Sequence, residues 1–160
     1  MMKNILIITT LFLTSFSINA QIESGTFMTG GSATFNRHIT ESNISSTSIV
    51  INPQLGLAFA DNFVGGAWFS FSSINDFSSW SVAPFVRYYQ NNFFLQLGYG
   101  FNRSGNVSGS IFDAELGYAM FLNDNISLEP AFYFNQYFND NGLNGSDIGF
   151  KLGFQLYFNR

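Results

Sequence analysis

Cysteine is absent from this chain. Its absence removes disulfides, thiolate nucleophiles and Cys-ligated metals together. Charge is also scarce: Asp, Glu, Lys and Arg make up 10% of the 160 residues, against ~25% in an ordinary soluble domain. Six Lys plus Arg against ten Asp plus Glu leave a net charge of −4, so there is no basic footprint for nucleic acid. A single histidine, His38, leaves little for His-based metal or acid–base chemistry. No apolar run long enough to cross a bilayer as a helix follows residue 20. Aromatics, by contrast, reach 19%, with 21 Phe. A chain this apolar with so little net charge is not disordered.

Residues 1–20 have the layout of a secretory leader. Lys3 supplies the positive start, residues 5–16 the apolar core, and Ala20 a small residue at the cleavage point. Removing Lys3 with the leader takes the net charge from −4 to −5. Only Phe12 and Phe16 leave with it, so the aromatic excess belongs to the remainder, 21–160, which reads as one domain. An exported chain without Cys points to a bacterial exporter.

Helical periodicity is missing from 21–160, and period two takes its place. In 147–158, Ile148, Phe150, Leu152, Phe154, Leu156 and Phe158 alternate with Asp147, Gly149, Lys151, Gly153, Gln155 and Tyr157. The same alternation marks 25–36, 48–60, 63–73, 80–89, 93–102, 112–122 and 126–134, giving eight strands of about 10–13 residues. Three links are tight and rich in Asn and Asp, which tolerate the positive φ of hairpin turns: 61–62, 90–92 and 123–125. Four others, near 37–47, 74–79, 103–109 and 135–146, read as longer polar loops.

Eight antiparallel strands close either as a soluble barrel, apolar inside, or as a membrane barrel, apolar outside. Three features favour the second. Mid-strand charges are few, namely Arg87, Asp113, Glu115, Glu129 and Lys151, as a small enclosed lumen requires. Glycine falls mostly on the polar face, and Trp68, Phe85 and Phe94 join it as filler, which suits a cramped interior. Aromatics gather near strand ends, with Phe59, Phe63, Tyr88, Phe93, Tyr157 and Phe158 at one rim and Trp80 at the other, as interfacial girdles do. The expected architecture is therefore all-β, an eight-stranded antiparallel up-and-down transmembrane β-barrel. Pro53, Pro84 and Pro130 fall mid-strand on the apolar face, and each should sit at a bulge or a missing ladder bond.

The stretch GTFMTGGSATF, the strands NPQLGLAF and APFVRYY, the turn FLNDNISLEP and the closing strand resemble the small eight-stranded outer-membrane barrels of the OmpX and OmpA-barrel type. The likeness runs over 22–160. It implies a C-terminal assembly signal, Lys151-x-Gly153-x-x-Leu156-x-Phe158, read by the outer-membrane insertion machinery. Chains of that family end at the aromatic, whereas this one continues with Asn159 and Arg160.

The five mid-strand charges form the main candidate constellation. Arg87 and Lys151 can neutralise two of the three carboxylates, which reads as a structural ion-pair plug in a lumen too narrow to conduct. A lipid A-modifying enzyme would need a His paired with Ser and an acid. His38 has Glu41, Ser42 and Ser45 nearby, but the setting reads as an exposed loop. Asp140 among Asn residues reads as a polar loop, not a calcium site. Tyr137, Phe138 and Leu143 in the last loop are the best contacts for an extracellular partner. The expectation is a monomeric outer-membrane protein with a structural or surface-interaction role, without catalysis, metal, cofactor or nucleic acid. The alternatives are a soluble lipocalin-like binder of an apolar ligand and the lipid A enzyme.

Overall fold

A computed structural model describes residues 22–39, 45–74, 77–140, 142 and 144–159. The leader 1–20, Glu41, Ser42 and Leu143 lie outside the described residues. No helix occurs among the described residues. The strands are β1 (Phe27–Ile39), β2 (Ser45–Ala60), β3 (Phe63–Ile74), β4 (Phe77–Gln90), β5 (Phe93–Ser104), β6 (Val107–Tyr118), β7 (Met120–Asn123), β8 (Ile126–Asn139) and β9 (Gly145–Phe158). β6 and β7 form one stave interrupted at Ala119, and both pair with β8. Every neighbour is antiparallel, and β1 pairs with β9 from Phe27↔Phe158 to Ala33↔Leu152. The sheet thus closes into an eight-stave up-and-down barrel with no free edge.

Three turns fall where Asn and Asp sit, at 61–62, 91–92 and 124–125. Asn62 and Asn91 take φ of 64° and 55°, the left-handed region Asn enters most readily among non-glycine residues. Each turn is also tied to a neighbouring stave. Asn62, Asn92 and Asn125 each accept a bond through the backbone carbonyl, from the N–H of Tyr89, Ala119 and Tyr157 in turn. At the opposite end the strands run further than their sequence suggests. β1 and β2 stay in register to Ile39↔Ser45, and β5 and β6 to Ser104↔Val107 around a two-residue turn at Gly105. Serine and asparagine are poor strand formers in isolation, but here a paired neighbour supplies the ladder.

The prolines follow one rule. Across β2–β3 the ladder skips Asn52-Pro53, across β4–β5 it skips Ala83-Pro84, and across the β6–β7 stave and β8 it skips Glu129-Pro130. The register is the same on both sides of each skip, so these are missing bonds and not bulges. Each proline keeps its pairing on the other flank, opposite Gly31, Ala67 and Leu152. The lost bonds are those a ring nitrogen cannot donate. An outward aromatic stands in register with each proline across its gap: Phe69, Tyr99 and Tyr118. In the third gap Ala119 leaves the ladder, and its N–H donates to the Asn92 carbonyl at 2.7 Å.

Alternation sorts the side chains into two faces. Outward, every stave carries large exposed apolar residues, among them Leu55, Phe69, Val86, Leu97, Leu116, Phe132 and Phe150. Inward, Met28, Ala58, Val64, Tyr89, Phe94, Phe121 and Tyr157 fill the turn end together with Ile22, all buried. Rings pair along the outer rim of that end: Phe63–Tyr88 at 4.7 Å, Phe93–Tyr118 at 5.0 Å and Phe27–Phe158 at 6.2 Å. Tyr157 does not belong to this girdle. It lies one residue from Phe158 and therefore on the opposite face, wholly buried in the lumen.

Candidate functional site

All five mid-strand charges face the lumen, and four of them form two ion pairs. Arg87 Nη1 lies 2.7 Å from Glu129 Oε2, and Lys151 Nζ bonds Glu115 Oε1. Arg87 Nη2 also stands 3.9 Å from Glu115 Oε2, linking the two pairs. Strand register explains the meeting: Glu115 pairs opposite Gln96, and Arg87 opposite the same Gln96 on its other side. Four staves thus deliver Arg87, Gln96, Glu115 and Glu129 to one layer of the barrel.

A buried guanidinium needs more than one partner. Arg87 donates through Nε to Gln96 Oε1 at 2.9 Å and through Nη1 to the Tyr89 hydroxyl at 3.0 Å. The Tyr89 hydroxyl lies 2.9 Å from that of Tyr157, which donates to Glu129 Oε1 at 2.7 Å. Arg87, Tyr89, Tyr157 and Glu129 therefore close a hydrogen-bonded ring. Ser127 Oγ adds a third donor to Glu129, bonding Oε1 at 3.0 Å. The Phe94 ring lies under the guanidinium, 4.2 Å from centroid to Cζ. Tyr89, Ser127 and Gln96 are not among the candidates the sequence offers, and Tyr157 is among them only as a rim aromatic. Parity carries a signal for each: Tyr89, Ser127 and Tyr157 lie an even number of residues from an inward charge on their own strand, and Gln96 an even number from the filler ring Phe94.

Asp113 is the carboxylate left without a cation. Among the described residues it makes no ion pair. It accepts instead from the indole Nε1 of Trp68 at 2.8 Å. Gly98 makes this contact possible: a Cβ there would fall 2.0 Å from Asp113 Oδ1. Trp68, Phe85 and Phe94 are all inward, as their positions on the polar face imply.

The two halves of the lumen differ. The turn end is sealed by the apolar layer and the Arg87 ring. Toward the loop end the interior widens into a polar cup of about 550 Å3. Serines from β3 and β4 (Ser70, Ser72, Ser79, Ser81), Asn102 and Tyr133 line its walls, while Trp68 and Asp113 lie at depth. A polar interior is the reverse of the apolar cavity a lipocalin-like binder requires.

The other sequence candidates separate. Gly153 is buried, Leu156 half-buried and Phe158 exposed on β9, with Lys151 engaged by Glu115. Tyr137 and Phe138 are not on a loop: both belong to β8, Tyr137 packed against the buried core and Phe138 outward. His38 likewise belongs to β1, where its backbone pairs with Ser46. No group of three or more His, Asp or Glu that could hold a metal exists among the described residues. No protein-family model matches the chain, and the search of curated proteins finds no similar one.

Proposed function

We propose that this chain is an integral outer-membrane β-barrel of a diderm bacterium, exported through the cleaved leader 1–20, monomeric and with a structural or surface-interaction role. The observation that carries the reading is the inverted distribution of side chains. Large apolar residues are exposed on all eight staves, while Arg87, Asp113, Glu115, Glu129 and Lys151 all point inward. In water such a continuous apolar belt would drive association. In hydrocarbon it is the solvent-matched face. A closed ladder meets the second demand of a bilayer, that backbone groups find internal partners. About ten residues per strand at ~3.3 Å, tilted ~40°, reach the ~25 Å of an apolar band. The rim rings fit an interfacial girdle.

The barrel neither conducts nor catalyses in this reading. Arg87, Tyr89, Tyr157, Phe94 and Phe121 occupy the turn half of the lumen, and the carboxylates there are engaged by cations and hydroxyls. Lys151, Gly153, Leu156 and Phe158 serve the insertion machinery, and the loop end meets the extracellular partner. Membrane fractionation with gel mobility tests the assignment. The protein should stay with the outer membrane and migrate faster unboiled than boiled. Recovery in the soluble periplasmic or secreted fraction with no heat-dependent shift would overturn it.

A further inference from the structure

The polar cup is unbalanced in two ways that point to the same ligand. The first is charge. Arg103 and Asp147, one of each sign, stand exposed at the mouth, while at depth the lumen holds three carboxylates, Asp113, Glu115 and Glu129, against two cations, Arg87 and Lys151. Both cations are spent on Glu115 and Glu129. The remaining negative charge sits on Asp113, 2% exposed, facing the cup. The second is hydrogen bonding. Asn102 lines the cup at 6% exposure, and its Nδ2 donates to Asn139 Oδ1 at 3.5 Å. The other end of the Asn102 amide, Oδ1, has no partner. Gln155 Oε1, from a side chain 1% exposed in the same lining, is also unpartnered. Within the cup lining both free amide ends are acceptors; the one unpartnered buried donor among the described residues, Gln96 Nε2, lies outside that lining. A buried acceptor without a donor is costly, so the cup is complementary to a molecule that brings donors.

The walls narrow the class further. Ser70, Ser72, Ser79 and Ser81 offer hydroxyls that pair with other hydroxyls, and Trp68 and Tyr133 offer ring faces. The volume is that of an ordinary small-molecule site. We infer that the cup binds a small hydroxylated primary amine of the amino-sugar class, its ammonium directed to Asp113 and its hydroxyls to the serine and asparagine walls. The site lies inside the barrel and its mouth is at the loop end, bordered by the exposed Ser104 and Asp147. It therefore does not rest on the membrane assignment, and a soluble barrel would carry the same cup.

The test uses Trp80→Phe as background, which leaves Trp68 as the reporter, because the chain has two tryptophans. The folded protein is titrated with glucosamine, glucose and ethanolamine at pH 7.5 by tryptophan fluorescence and calorimetry. Glucosamine should bind saturably, and glucose about tenfold more weakly, as loss of one charge-assisted bond implies. Ethanolamine, with the ammonium but a single hydroxyl, should also bind more weakly. Asp113→Asn keeps the indole contact and should abolish the preference for glucosamine over glucose. Asn102→Ala leaves Asp113 in place, should weaken glucosamine severalfold, and decides the matter if Asp113→Asn fails to fold. No saturable glucosamine signal, equal affinity for the two sugars, or a preference that survives Asp113→Asn would each overturn the inference. Ethanolamine binding as tightly as glucosamine would overturn its hydroxylated-ligand part.

Discussion

The Arg87 guanidinium and the Glu129 carboxylate meet at 2.7 Å with both side chains almost wholly removed from solvent. They come from β4 and β8, so the pair bridges the lumen across the two intervening staves. Such a pair is expensive to break from one side, because the survivor is left as an uncompensated buried charge. Arg87→Met should therefore cost about 3–5 kcal/mol in unfolding free energy. Adding Glu129→Leu should restore much of that loss, since it removes the orphaned carboxylate. Urea titration of the folded barrel, read by gel mobility, measures both. A double variant as unstable as the single one would show that the ring through Tyr89 and Tyr157, and not the ion pair, is the energetic unit.

The gap at Ala83-Pro84 makes a separate prediction for the residue facing it. Gly100 stands opposite Ala83, and a Cβ there would lie 2.1 Å from the Val82 carbonyl oxygen and 2.4 Å from Ala83 Cα. Both obstacles are backbone and cannot swing away. Gly100→Ala should cost about 1–3 kcal/mol, as overpacking generally does. Gly65→Ala is the control, because its Cβ would meet only the Phe59 ring at 3.3 Å, which can shift. Equal urea midpoints for the two variants would mean that the β4–β5 wall yields at its proline gap.

Much of this architecture can be read from alternation alone. One strict period gives the staves, the inward charges and the filler rings Trp68, Phe85 and Phe94, because a strand residue's face is set by parity. Strand ends are less legible. Residues 135–139 contain Asn, Gln and two aromatics and look like loop, yet Phe138 and Tyr137 sit in β8 because β6 and β9 flank it. Tyr157 shows the cost of reading by distance from a strand end when parity already assigns it inward. Partner choice is the least legible feature. Trp68 and Asp113 are 45 residues apart, and only the registers of β3 through β6 bring the indole to that carboxylate. The prolines lie between these cases: the missing donor is local chemistry, but the seam it opens depends on which neighbour the N–H would have faced.

The sealed turn half carries an electrical prediction. A hydrated path from the cup would have to pass the Arg87 layer and then Met28, Val64, Tyr89 and Tyr157, each wholly or almost wholly buried. An eight-stave barrel is wide enough for packed side chains or one small ligand, and in this half the side chains take the space. Purified protein in planar bilayers should give no steady single-channel current. Robust, reproducible conductance at modest voltage would mean that the ring through Arg87, Tyr89, Tyr157 and Glu129 opens, and would remove the non-conducting part of the proposal.

The outward face supplies the sharpest test of the membrane reading, because depth matters in a bilayer and not in water. Leu97 is 45% exposed within β5, paired with Val86 and Ala114 on the two flanking strands. Leu122 is 55% exposed on β7, beside the turn at 124–125. In hydrocarbon an arginine near the midplane costs about 2–4 kcal/mol and one near the interface about 0–1 kcal/mol. Leu97→Arg should therefore destabilise the vesicle-embedded barrel strongly, and Leu122→Arg little. On a water-exposed surface both changes would stay within about 0.5 kcal/mol of neutral. Unfolding of the two variants in lipid vesicles, compared at matched urea concentrations, separates the cases. A Leu97→Arg barrel as stable as the parent would place that face against water and leave the exposed Phe and Leu of all eight staves without a solvent to match them.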